Sequence, residues 1–109
     1  MKVYYRLRRN QDFNLIIKTG NRTETNIATI YHQENGLSHL RIGLVTSKKI
    51  GNAVLRNKVR RQLRAMLQDL KLNYPFDIVI KVKEPYLNNS YSDNETIINE
   101  TLQRIINHE

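Results

Sequence analysis

The stretch Ser47–Arg64, SKKIGNAVLRNKVRRQLR, decides how this 109-residue chain is read. It holds seven of the chain's 18 Lys and Arg residues: Lys48, Lys49, Arg56, Lys58, Arg60, Arg61 and Arg64. No Asp or Glu occurs from Asn35 to Gln68. A solvated helix face usually mixes acids with bases, because like-charged i,i+4 pairs cost a few tenths of a kcal/mol. Arg56, Arg60 and Arg64 form such a row, with Asn57 and Arg61 beside it. Bases near a helix start also oppose the macrodipole, by roughly 0.3–1 kcal/mol each when exposed. A polyanion that neutralises the row offsets both costs, and the stretch reads as a nucleic-acid surface.

Placed at helical steps, Leu55, Val59, Leu63, Met66, Leu67 and Leu70 fall within one apolar arc of about 120°. Asn57, Lys58, Arg60, Arg61 and Arg64 lie on the opposite side. Gly51-Asn52 precedes the arc as a breaker and cap, Asn52 being able to accept an orphan helix N–H.

Composition narrows the alternatives. The net charge is +8 and the hydrophobic fraction 39%. The charge is uneven: residues 1–71 hold 15 bases and 4 acids, residues 72–109 hold 3 bases and 6 acids. One basic face directed at a polyanion explains this asymmetry. A membrane surface is disfavoured, since the chain has no Trp and the basic helix spends its apolar arc on a core. With no cysteine, disulfides and thiolate metal sites are excluded. No apolar run reaches signal-peptide or spanning length, so the cytoplasm is the expected compartment.

The remaining elements follow from pattern. Residues 1–9 read as a flexible basic arm, and 1–109 as a single RNA-binding domain. Asn10 or Asp12 can cap a short helix carrying Phe13, Ile16 and Ile17, which Gly20 ends. Residues 21–26 read as loop. Ile27–Gln33 and Leu40–Thr46 read as strands, with Asn35-Gly36 suggesting a hairpin between them. Phe76–Val82 alternates as a third strand, ended by Pro85. Ser92 and Glu95 suggest a capping box for a last helix buried through Ile97, Ile98, Leu102, Ile105 and Ile106. The order is αββαβα, an α+β fold.

Phosphodiester hydrolysis by protein side chains needs clustered carboxylates for metal ions or positioned histidines. His32, His39 and His108 are scattered, and Asp12, Glu24, Glu34 and Asp69 are too dispersed for a two-metal site. No zinc spacing or Gly-rich phosphate loop is present. No catalytic residue and no metal ligand is expected in this chain.

The Ser47–Arg64 stretch resembles the signature of the bacterial ribonuclease P protein subunit, an Arg-Asn-basic helix preceded by Lys-Lys-x-Gly-Asn. A weaker likeness lies in RLRRNQDFNLIIKTG, Arg6–Gly20, so that the resemblance spans nearly the whole chain. It implies a two-layer sandwich with a small mixed sheet, shared with a ribosomal-protein domain. General handedness rules favour a right-handed βαβ crossover in about 98% of cases; the resemblance implies the rare left-handed form, which is the one expected here. It further implies an endoribonuclease subunit that assists Mg²⁺-dependent removal of 5′ leaders from precursor tRNA, the chemistry and most of the Mg²⁺ residing in a catalytic RNA. The implied partners are that RNA and precursor tRNA, with no obligate protein partner evident.

By motif position, Lys48, Lys49, Asn52, Arg56, Asn57, Lys58, Arg60, Arg61 and Arg64 would contact the catalytic RNA. Phe13, Ile17 and Tyr31, with Lys81 and Lys83, would line a cleft for the single-stranded leader. Phe13 equally suits a core position. The chain departs from the family pattern at Ile17, where a second aromatic is common, at Glu84, where a base often precedes the proline, and at Thr25-Asn26, often Asn-Arg. A ribosomal or general RNA-binding protein of the same fold is the alternative, but it does not account for the full signature spacing.

Overall fold

A computed structural model describes residues 5–7, 9–37, 39–70 and 75–107. Its elements are β1 (Tyr5–Arg6), α1 (Asn10–Thr19), β2 (Asn21–Glu24), β3 (Ala28–Glu34), β4 (Arg41–Val45), α2 (Ala53–Leu70), β5 (Phe76–Val82) and α3 (Tyr91–Asn107). Single 3₁₀ turns at Lys48–Ile50 and Glu84–Asn88 lead into α2 and α3.

The strands form one mixed sheet in the order β1-β4-β5-β3-β2. The central strand β5 runs parallel to β4 and antiparallel to β3. Both its faces are covered, which is why Phe76, Asp77, Ile78, Val79 and Ile80 are all buried. Side chains alternate across a strand, and they split the core in two. Ile30, Ile42, Phe76, Ile78, Ile80 and Val82 pack with Val59, Leu63 and Met66 of α2 and Ile98, Leu102 and Ile105 of α3. On the opposite face Leu7, Tyr31 and Val79 pack with Ile16 and Phe13 of α1. The expected two-layer sandwich is thus the sheet with α2 and α3, and α1 adds partial cover behind it.

Several local expectations are corrected. The segment before α1 is not a free arm at residues 5–7: β1 pairs parallel to β4, the Leu7 N–H donates to the Ile42 carbonyl at 2.9 Å, and Leu7 is buried. Residues 1–4 and 8 of that arm lie outside the described residues. Residues 21–24 are a strand rather than a loop, paired antiparallel to β3. Thr25 closes the turn between them, its Oγ1 donating to the Ala28 carbonyl and accepting from the N–H groups of Ile27 and Ala28.

Asn35-Gly36 does turn the chain, with Gly36 at φ 69°, but no hairpin forms, because β5 lies between β3 and β4. Asn35 instead ties the connection across the start of β5. Its Nδ2 donates to Asp77 Oδ1 at 2.9 Å and to the His39 carbonyl at 3.1 Å. The residue preceding α1 is Arg9, and neither Asn10 nor Asp12 caps that helix. For α3 the cap is Ser90, whose Oγ accepts from the Asp93 N–H, rather than Ser92. The buried stripe of α3 is as expected, with Ile97 half-buried. The side chain of Leu70, placed in the α2 arc, lies outside the described residues. Among the described residues, no helix is long and apolar enough to cross a membrane.

Candidate nucleic-acid interface

The basic face begins with backbone geometry. Gly51 sits at φ 144°, a conformation that favours glycine, and a Cβ there would lie 2.7 Å from Leu55 Cδ2. Gly51 therefore lets the chain turn tightly into α2. Asn52 then caps the helix, its Oδ1 accepting from the Leu55 N–H at 2.9 Å. This turn holds Lys48 and Lys49 exposed just ahead of α2 while Ile50 is buried as an anchor.

On α2, Asn57, Lys58 and Arg61 are exposed, whereas Arg56, Arg60 and Arg64 are half-buried along one flank. Arg60 is held in place: Nη1 donates to Thr46 Oγ1 at 2.7 Å and Nη2 donates to Asn57 Oδ1. Arg56 has its Nε buried with no hydrogen-bond partner. The first turn of α2 contains no acid. The result is a face rich in cationic donors, beginning at a helix turn that carries no acid.

Arg64 lines a small hollow of about 90 Å³ with Arg6, Phe13 and Gly43, so the arginine flank reaches the edge of the α1-covered face of the sheet. A second groove, of about 320 Å³, brings Lys49 together with Lys81 and Lys83, over Ser47, Val82 and Pro85. The two sets of residues assigned separately from the sequence thus meet there. Glu84, the departure from a base, lines the same groove.

The proposed cleft residues have different fates. Phe13 is half-buried with its ring against Gly43. Ile17 is 38% exposed and belongs to the surface, not the core. Tyr31 is buried, 8% exposed, and the Arg22 guanidinium lies 6.0 Å from its ring centroid, within cation–π range. Lys81 is exposed. Lys83 is committed locally, donating to the Thr25 carbonyl at 2.7 Å and to Glu24 Oε2 at 3.2 Å.

Arg22 is the residue that sequence reading missed. Strand alternation places it beside Tyr31, its cross-strand partner, but the signal was hidden once 21–26 was read as loop. Glu24 accepts from Arg22 and Lys83. A hydrogen bond from Thr29, then one from Arg22, draws the Glu24 carboxyl down to about 2.

Among the described residues the carboxylates gather no Mg²⁺ site. Asp77 is buried and chelated by Arg41, with Nε to Oδ1 at 2.8 Å and Nη2 to Oδ2 at 2.5 Å, and Glu24 is occupied as described. Among the described residues no three His, Cys, Asp or Glu side chains gather as metal ligands.

The chain is similar in sequence and fold to bacterial ribonuclease P proteins. The family model described as Ribonuclease P matches residues 1–106. The ribonuclease P protein component of Mesoplasma florum is 33% identical over 103 residues, covering 92% of this chain and 94% of that protein. The Staphylococcus aureus RNase P protein structure superposes with a TM-score of 0.85 at 30% identity, covering 93% of this chain and 94% of that one. The Thermotoga maritima RNase P protein gives a TM-score of 0.83 at 28% identity, over 91% and 96% of the respective chains.

Proposed function

Because the chain belongs to the ribonuclease P protein family, we propose that it binds a catalytic RNA through the α2 face and steadies the 5′ leader of precursor tRNA beside it. Family membership makes it the protein component of a ribonuclease complex with an RNA subunit. The observation that carries the finer reading is the continuity of the basic surface: α2 and Lys48–Lys49 run into the groove where Lys49 faces Lys81 and Lys83.

On this reading Arg61 and Lys58 meet phosphates from the exposed crest of α2, while Arg60 arrives pre-positioned by Thr46 and Asn57. Guanidinium forks and amides suit phosphate and sugar oxygens, which fix register without reading sequence. The leader passes along Lys81 and the exposed rim of α1 at Ile17, with Phe13 and the Arg22–Tyr31 pair beneath. Stacking and cationic contacts of this kind tolerate any base. On this reading Mg²⁺ would be held mainly by the RNA, where it would supply water activation and charge neutralisation. The chain's own part is to bind, align and screen charge, in the cytoplasm.

The test is reconstitution with a bacterial ribonuclease P RNA and precursor tRNA. The protein should lower the Mg²⁺ needed for cleavage at the mature 5′ end and favour leader-bearing over mature tRNA. Cleavage by the purified protein with no RNA, or a complex indifferent to the leader, would overturn the reading.

A further inference from the structure

A hollow of about 350 Å³ lies on the far flank of α2, lined by Leu55, Lys58, Val59 and Gln62 of that helix, by Tyr86, Leu87 and Asn89 of the segment leading into α3, and by Tyr91 at the start of α3. It faces away from the arginine row and lies on the α2–α3 side of the sheet, opposite α1. We propose that it receives one unstacked nucleobase of the RNA subunit, a site that rests on the RNA-binding reading of α2 and extends it around the helix.

The chemistry of the walls selects the ligand. Leu87 and Tyr91 are each 39% exposed, and with Leu55 and Val59 they offer apolar and aromatic surface for the flat faces of a base. The polar groups of the lining supply a donor and an acceptor for its edge. Gln62 Oε1 accepts from the Tyr86 hydroxyl at 3.0 Å, which leaves the Gln62 NH₂ as donor. Asn89 Nδ2 donates to Asn94 Oδ1 at 3.2 Å, which leaves Asn89 Oδ1 as acceptor. Burial pushes the Tyr86 hydroxyl up to about 12, so it remains the donor that fixes Gln62.

Among the described residues Lys58 is the only charged one in the lining; it adjoins Arg61 one turn along α2, placing a cation where the nucleotide's phosphate would emerge. An apolar peptide would bury the two amides unpaired, and a metal ion would meet a lysine instead of a carboxylate. The volume falls at the small end of ligand sites, which span roughly 300–1,000 Å³.

Stacking releases no counterions, so it has a signature distinct from phosphate binding. Equilibrium binding of the RNA subunit across a salt series should show Tyr91→Ala weakened by about 5- to 150-fold, the range of one lost base stack, with the salt slope unchanged. Tyr91→Phe, which keeps the ring, should bind more tightly than Tyr91→Ala. Lys58→Ala should instead flatten the slope by about 0.7–0.9. Leu87→Ala, a second opening of the wall, should weaken binding without lowering the melting temperature.

If Tyr91→Ala and Leu87→Ala both bind normally while Arg61→Ala is weakened, the pocket is unused and this inference fails alone. If Arg61→Ala binds normally too, the reading of α2 beneath it fails. A loss confined to precursor tRNA would assign the base to the substrate and overturn the choice of partner.

Discussion

The ring of Phe13 fills the space that a side chain on Gly43 would need: Phe13 Cζ lies 2.5 Å from the position a Cβ would take. A helix on one face of the sheet is thereby seated directly on the backbone of β4. Glycine is required here by close approach, since the φ of Gly43 is not one that only glycine adopts.

Gly43→Ala should therefore destabilise the protein by about 1–3 kcal/mol, the usual cost of overpacking. In a Phe13→Ala background the added methyl finds room, and most of that cost should vanish. Urea denaturation of both single variants and the double variant measures the coupling, expected at about 0.5 kcal/mol or more for residues in contact. Additive losses would show that the ring does not rest on β4.

Along α2 the arginines differ in how much freedom they lose on binding. Arg61 is exposed and Arg60 is pinned by Thr46 and Asn57. Arg61→Ala should flatten the log–log salt dependence of RNA binding by about 0.7–0.9, as one lost phosphate contact does. Thr46→Val should keep the slope but weaken affinity by about 0.5–1.5 kcal/mol, the ordering cost of a side chain no longer pre-positioned. Filter binding at four or five salt concentrations separates the two effects.

Glu24 gives a pH signature. Its carboxyl is drawn to about 2, below the ordinary unfolded value of about 4.3. A depressed folded value means that the stabilisation is fully present above the unfolded value and is lost as pH falls towards the folded one. Glu24→Gln should melt below the natural protein at pH 6, and the gap should close between about pH 4 and pH 2. A gap that persists at pH 2 would point to packing rather than charge.

What was legible in the sequence was whatever local periodicity encodes. The α2 arc, the alternation of β5 and the stripe of α3 all report a buried face, and the cap at Asn52 was readable from one residue type. Non-local pairing was not. Asn35-Gly36 carries a true turn signal, yet only the insertion of β5 decides that the strands it joins are not neighbours. The edge strand β2, Asn-Arg-Thr-Glu, buries none of its four residues fully, so hydrophobic alternation had nothing to register and Arg22 was overlooked. Ser90 and Ser92 are equivalent in type; the start of α3 after the Glu84–Asn88 turn chooses between them.

Ile17 offers the sharpest test of the leader groove. It stands one helical turn after Phe13 on α1, so the two share a face, but Phe13 is turned onto the sheet while Ile17 remains 38% exposed. A larger ring at position 17 meets solvent rather than a packed core, and Ile17→Phe should leave the melting temperature within about 2–4 °C of the natural protein, as for most surface changes of under about 0.5 kcal/mol. The same ring adds a π-face at the rim, and stacking on it is worth about 1–3 kcal/mol per base. Binding of precursor tRNA to the reconstituted complex should tighten accordingly, and only when the leader is long enough to reach α1; mature tRNA should bind unchanged. Phe13→Ala should weaken leader-dependent binding and also lower the melting temperature, because it removes the seat on Gly43. An Ile17→Phe variant that melts normally but binds leader-bearing and mature tRNA with unaltered preference would place the leader away from α1.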